Sequence, residues 1–268
     1  MKNLSGSVLI LALCVTGCSN PTKTEKSEEK LNLEDHDAKV EFRRFTYSLN
    51  SNNKQIEVLL RKINWIDVNK EAKQFGLNGA NCYKKDDDYF FIIDAEHTLN
   101  SETALKAFEQ IKEVSKLTKN LKAINQPFLT SEAALERIYE LDQKAIYTPS
   151  DGQLKTAIGA HKRFVWTLLL NEDSTLLKEY KEVHSMGKAW PQITKNMKFI
   201  GVKDMEIYLD GYRAMLIMDA RPGFDMAVSG PKWQELPQEK EWQDHVSKFQ
   251  RIAPGSSIQE KWQDMEKL

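Results

Sequence analysis

Apolar residues beyond about residue 40 fall into two kinds of run, one suited to strands and one to helices, and the second half of the chain shows them most clearly. Phe164 to Leu170 is continuously apolar, as in a strand covered on both faces. Asp173 stands where a cap belongs, before a helix in which Leu176, Leu177, Tyr180 and His184 return at helical spacing. Gly187 interrupts that pattern. Pro191 suits the first turn of a second helix with Ile193, Met197 and Ile200 inward, and Gly201 sits where a C-cap glycine would. Asp204 to Leu209 and Arg213 to Asp219, joined at Asp210-Gly211, predict a β-hairpin with a type I′ turn. A last helix is expected over 239–249 and a last strand over 260–267. The order β-α-β-β-α-β is the ferredoxin-like plan.

The first half repeats this pattern. Gly76-Leu77-Asn78-Gly79-Ala80-Asn81-Cys82-Tyr83 falls on Gly201-Val202-Lys203-Asp204-Met205-Glu206-Ile207-Tyr208 at an offset of 125 (208 − 83). The same offset sets Trp65 on Trp190 and Ile92-Ile93-Asp94-Ala95 on Ile217-Met218-Asp219-Ala220. Glu136-Arg137-Ile138 aligns with Glu260-Lys261-Trp262 at 124 (260 − 136), and Arg44-Phe45 with Arg163-Phe164 at 119 (163 − 44). The first copy is therefore shorter in its first helix. Several anchors in one order at one spacing mark two diverged copies of a single unit. The expected organisation is a degenerate repeat over 41–145 and a second unit over 160–268. The fold class is α+β, two tandem ferredoxin-like units packed as a pseudo-dimeric α+β barrel, with the chain a monomer.

The N-terminus is unlike the rest. Lys2 precedes the short apolar run Val8 to Val15, then Val15-Thr16-Gly17-Cys18 follows. This reads as a signal peptide over 1–17 with a bacterial lipobox, lipid on Cys18 and cleavage before it. An ordinary secretory signal with a chance cysteine is the plainer alternative. Residues 18–40 are polar and charged and read as a flexible tether. Ser19 after the cysteine favours the outer membrane or cell surface of a bacterium over inner-membrane retention. The 268-residue chain is 41% hydrophobic and 29% charged, with a net charge of −1, which gives no support for nucleic-acid binding. Once Cys14 and Cys18 are assigned to the leader and the lipid, Cys82 is alone, so neither an internal disulfide nor a cysteine metal site is expected. Cys82 reads as a small buried apolar residue.

Candidate chemistry gathers in the second unit. Tyr180 and His184, four apart on a helix, leave the same face. Trp190, Trp233, Trp242 and Trp262 could stack on an apolar ligand face or fill a core. Trp65 persists in the first copy, which lacks the Tyr–His pair, so Trp190 reads as core, and Trp233 and Trp262 as packing. His36, His97, His161 and His245 show no metal-ligand spacing with carboxylates, and no metal site is expected. His245, on the Trp242 helix, is able to approach the same site, though a solvated position suits it better. Lys84-Lys85-Asp86-Asp87-Asp88 aligns with the Asp210-Gly211 turn and is a hairpin loop.

Taken together, Glu179-Tyr180, His184, Trp190-Pro191, Asp204 to Tyr208, Trp242 and Glu260-Lys261-Trp262 resemble the L-rhamnose mutarotase family, including its relatives assigned to L-fucose, from about residue 162 to the C-terminus. The resemblance implies a sugar mutarotase, an isomerase without metal or organic cofactor that interconverts α and β anomers through the open-chain aldehyde. It makes His184 the proton donor and Tyr180 a sugar contact, with Trp242, Met205 and Tyr208 at substrate-binding positions. Family members pair two units as a homodimer, which the tandem copies would reproduce within one chain. Met205 replaces a family tyrosine, Glu241 replaces the first of a paired tryptophan, and the His184-to-Trp190 stretch is two residues longer. These departures favour the fucose-type relatives. A lipid-anchored carbohydrate-binding protein that kept the pocket and lost the reaction is the competing reading. A haem-handling barrel is a third, with no axial ligand evident.

Overall fold

The computed structural model describes residues 41–131, 133–251 and 261–268. The leader over 1–17, the lipidation site Cys18 and the tether over 18–40 lie outside the described residues, as does Glu260. Among the described residues, ten strands form two five-stranded antiparallel sheets, each covered by helices on one face.

In the first half, β1 (Glu41–Asn50), β2 (Leu77–Lys85) and β3 (Asp88–Glu96) carry α1 (Lys54–Arg61), α2 (Trp65–Ala72), α3 (Ser101–Gln110) and α4 (Lys112–Ala123). After β4 (Glu136–Glu140) and β5 (Gln153–Thr156) the pattern recurs, with β6 (Lys162–Leu169), α5 (Ser174–His184), α6 (Pro191–Ile200), β7 (Val202–Asp210), β8 (Arg213–Ala220), α7 (Met226–Gln234) and α8 (Glu239–Ser247). The short strands β9 (Gln263–Asp264) and β10 (Glu266–Lys267) end it. Local chemistry explains the element ends. The Asp173 carboxylate accepts from the Thr175 and Leu176 N–H groups at the start of α5. Pro191 opens α6, and Gly201 closes it at φ 109°, where a Cβ would stand 2.7 Å from the Arg221 side chain.

Three expectations need correction. The turn between β7 and β8 is Gly211-Tyr212, since Asp210 pairs with Arg213. Only Gly211 has positive φ, as in a type II′ rather than a type I′ hairpin. Asp86, also at positive φ, takes the equivalent place in the Lys84–Asp88 loop. The second correction concerns the closing strands, which do not stay in their own sheets. The sheet orders are β10-β2-β3-β1-β5 and β4-β7-β8-β6-β9. Thus β4 of the first half extends the second sheet beside β7, and β10 at the chain end extends the first beside β2. Each exchange satisfies backbone groups that an open edge would leave unpaired. The third correction is one of register. Glu136 pairs with Leu209 and Glu266 with Lys84, so the counterpart of Glu136 is Glu266. The places beside β1 and β6 go to β5 and β9, and β5 lies between the two expected units.

Strand alternation sorts the buried side chains. Ala80, Cys82, Phe91 and Ile93 face α1–α4, and Met205, Ile207, Leu216 and Met218 face α5–α8. The opposite faces contribute Tyr83, Phe90, Ile92, Tyr208, Met215 and Ile217 to one shared cluster, so the sheets pack face to face. Cys82 is fully buried, and burial pushes its thiol well above its ordinary value. A charged network accompanies this interface. Arg44 bonds both oxygens of Asp94 at 2.7 and 3.0 Å and Glu206 at 2.6 Å. Arg163 and Asp219, at the corresponding positions of the other copy, make the same two-pronged pair at 2.7 Å.

Candidate active site

On α5, Tyr180 and His184 point inward and are 1% and 7% exposed. The His184 Nδ1 atom lies 2.8 Å from the Tyr180 carbonyl oxygen. A carbonyl only accepts, so Nδ1 carries the proton and Nε2 offers a lone pair. Burial lowers the imidazole pKa to about 4; the Tyr180 carbonyl opposes this and His245 adds to it. The ring is therefore neutral at pH 7 and accepts a proton before it can give one. Around it stand Tyr180, Trp242 and Tyr139, with ring centroids 4.3, 5.6 and 6.2 Å away. Burial keeps the Tyr180 phenol protonated far above neutral pH, so it remains a possible donor.

These groups face a cavity of about 200 Å³ between the second sheet and α5–α8. That is below the roughly 300–1,000 Å³ of drug-sized ligand sites and suits a single sugar ring. Tyr180, His184, Met205 and Trp242 all line it. Tyr208 does not. Its ring lies between the sheets and its hydroxyl donates to Glu206 at 2.9 Å. The period of two along β7 is the reason. Met205 and Ile207 face the cavity, while Asp204, Glu206 and Tyr208 face the other sheet. There Lys155 contacts Asp204 at 2.6 Å and Glu206 at 3.3 Å. Burial would raise the Glu206 carboxyl, but Lys155, Arg44 and Arg137 outweigh it and hold the group below the ordinary carboxylate range. Burial, then Glu206, pushes Asp204 up to about 6.

Trp233 and Trp262, read as packing, also line the cavity, together with Trp166. Trp190 is half-buried and lies over Trp242 and His245 on the outer side, with centroids 5.4 and 5.7 Å away. His245 is half-buried among these rings and Phe249 and is not on the cavity wall. Sequence reasoning missed Glu239, Gln250 and Tyr139. The Glu239 position on the inward face of α8, three residues before Trp242, was a usable signal. For Tyr139 there was none, because it reaches the cavity only through the strand exchange of β4. Among the described residues, no group of three or more His, Cys, Asp or Glu is placed to hold a metal ion.

An α+β body that buries one neutral imidazole in an aromatic, ring-sized cavity defines a small-ligand site of acid–base type. Residues 163–268 match the sequence model of the L-rhamnose mutarotase family. An L-fucose mutarotase of Xanthomonas campestris pv. campestris is 26% identical over 103 residues, 38% of this chain and 82% of that protein. A UPF0734 protein of Dictyostelium discoideum is 31% identical over 110 residues, 40% of this chain and 86% of that protein. Over this second half, the chain is similar to the L-rhamnose mutarotase family. Among solved structures, a Lactobacillus acidophilus protein of proposed monooxygenase function aligns with a TM-score of 0.42 and 7% identity, over 85% of this chain and 94% of that one. An anthrone oxidase-like protein aligns at 0.38 and 11%, over 86% and 92%. Neither likeness bears on function.

Proposed function

We propose that the second unit is a sugar mutarotase interconverting the α and β anomers of a 6-deoxyhexose, L-fucose or L-rhamnose. The observation that carries this is His184, a neutral imidazole whose Nε2 has no hydrogen bond among the described residues, set beside Tyr180 in a ring-sized cavity. Nε2 takes the proton from O1 of the bound sugar. The C1–O5 bond breaks as O5 gains a proton from the Tyr180 hydroxyl or solvent, leaving the open-chain aldehyde. After rotation about C1–C2, the O5 hydroxyl adds to the other face of the carbonyl and returns its proton to the Tyr180 oxygen or solvent. The imidazolium returns its proton to O1, and every group ends as it began. No metal or organic cofactor enters these steps. Trp242 and Met205 offer the apolar wall on which the sugar's less polar face packs. Met205 and the exposed Glu241 are the departures that favour fucose.

The first unit stands in for the second subunit of a dimeric barrel. The shared cluster between the sheets, the exchanged strands and the matching Arg44–Asp94 and Arg163–Asp219 pairs support this. The unit boundaries, 41–145 and 160–268, follow the repeat. The leader, Cys18 and the tether make the protein a lipoprotein of a bacterial cell envelope, at the outer membrane or surface; this part rests on sequence alone.

Saturation-transfer NMR between the anomers of L-fucose and of L-rhamnose tests the activity. His184→Ala should slow enzyme-driven exchange by roughly two to four powers of ten, and Tyr180→Phe by less. If the wild type exchanges neither sugar faster than buffer yet binds one, the protein is a carbohydrate-binding module and the enzyme reading fails.

A further inference from the structure

Two polar side chains in the cavity wall have bonding capacity that the protein leaves unused. Glu239 is 4% exposed, and its Oε1 accepts from Asn196 Nδ2 and Trp233 Nε1, each at 2.9 Å. Its Oε2 takes no hydrogen bond from the described residues, although the residue lines the cavity. Gln250 is 5% exposed, lines the same cavity, and its Oε1 is buried with no partner among the described residues. Leaving a buried acceptor unpaired, as at the Gln250 Oε1, is costly, and native proteins rarely do so without a functional reason. Both atoms are acceptors, so the complementary ligand groups are hydroxyl donors. A sugar ring carries several of these away from its anomeric carbon.

We propose that Glu239 and Gln250 form the polar end of the site, each accepting a hydrogen bond from a ring hydroxyl, and that together they determine which hydroxyl configuration is accepted. This rests on the mutarotase reading for the identity of the ligand, a neutral 6-deoxyhexose. The supports are rigid. Asn196 on α6 and Trp233 on α7 clamp one Glu239 oxygen, which aims the other, and Glu239 shares a face of α8 with Trp242 and Gln243. Burial raises the Glu239 pKa against the effect of its two donors, so the group is sensitive to what else bonds it. Because the anomeric proton belongs to His184, loss of either acceptor should impair binding and selectivity while the pH profile of exchange stays put.

The test compares wild type, Glu239→Gln and Gln250→Met with L-fucose and L-rhamnose, measuring affinity by calorimetry and anomer exchange by NMR. Glu239→Gln keeps an oxygen for Asn196 and Trp233 and turns the free acceptor into a donor. Affinity for the preferred sugar should fall roughly 10- to 100-fold, the scale of one hydrogen bond to a charged group, and the preference between the two sugars should narrow. Gln250→Met removes an acceptor that has no partner, so affinity should fall while the melting temperature of the sugar-free protein is unchanged or higher. A merely structural glutamine would give the opposite pattern, lower stability with unchanged affinity, and that result would overturn the proposal. Unchanged affinity and preference in both variants, with wild-type exchange intact, sinks this inference and leaves the mutarotase reading standing. A wild type that binds without exchanging, and whose variants bind less, does the reverse. A wild type that binds neither sugar removes both.

Discussion

Lowering the pH from 7 to 5.5 should leave the anomer-exchange rate nearly unchanged while it starts to destabilise the fold, and both effects come from His184. Its folded-state pKa is about 4 against an ordinary 6.5. If the neutral imidazole is the working base, its population at pH 5.5 is roughly 97%, whereas an unperturbed histidine would retain roughly 9%. The two cases differ about tenfold in rate at that pH. For stability, the unfolded chain protonates this histidine below 6.5 and the folded protein does not until about 4. The contribution is therefore complete above pH 6.5 and declines as the pH falls through that window. Lowering from 6.5 to about 4 amounts to roughly 3 kcal/mol at the acid end. Asp204 works in the opposite direction, since burial and Glu206 push its carboxyl up to about 6 and its protonation on acidification favours the fold. The difference between wild type and His184→Gln in urea denaturation across pH 4.5–7.5 isolates the histidine term. Imidazole carbon shifts would give the pKa, and saturation transfer, corrected for buffer catalysis, the rate. An exchange rate that halves near pH 6.5, with the His184 ring titrating there, would refute the argument from desolvation.

Arg44→Met should cost about 3–5 kcal/mol in chemical denaturation, because it strands the Glu206 and Asp94 carboxylates in the buried interface; a loss below about 1 kcal/mol would mean that solvent reaches the network. Tyr139→Ala removes a cavity wall beside His184, so the imidazole pKa should climb back toward 6.5 and stability should fall by about 3–5 kcal/mol; an unmoved His184 titration would show that the first half does not shape the site. Sugar titration by calorimetry should give one site per chain, since the Tyr180 and His184 pair occurs in the second half alone; two equivalent sites would contradict this.

Much of this molecule is decided by short-range chemistry, and such features are readable in the chain. The Asp173 cap, Pro191 at a helix start, Gly201 at a helix end and the shared face of Tyr180 and His184 each depend on residues within one or two helical turns. The similar element order of the two halves was legible for the same reason, because residues matched at one spacing encode similar local elements. Other features have no local cause. Sequence order anticipated strand near the chain end but not its division into β9 and β10, and pairing across sheets is a choice between edges that only the assembled body offers. That choice puts Tyr139 into a cavity built mostly by residues far along the chain. The Asp204–Tyr208 run reads as one motif, yet the pleat divides it between a sugar-sized cavity and a charged interface, so Tyr208 left the site while Met205 stayed. The neutrality of His184 belongs to tertiary structure as well. It arises from desolvation by rings on β4, α5 and α8, and a sequence does not state how much water a fold will exclude.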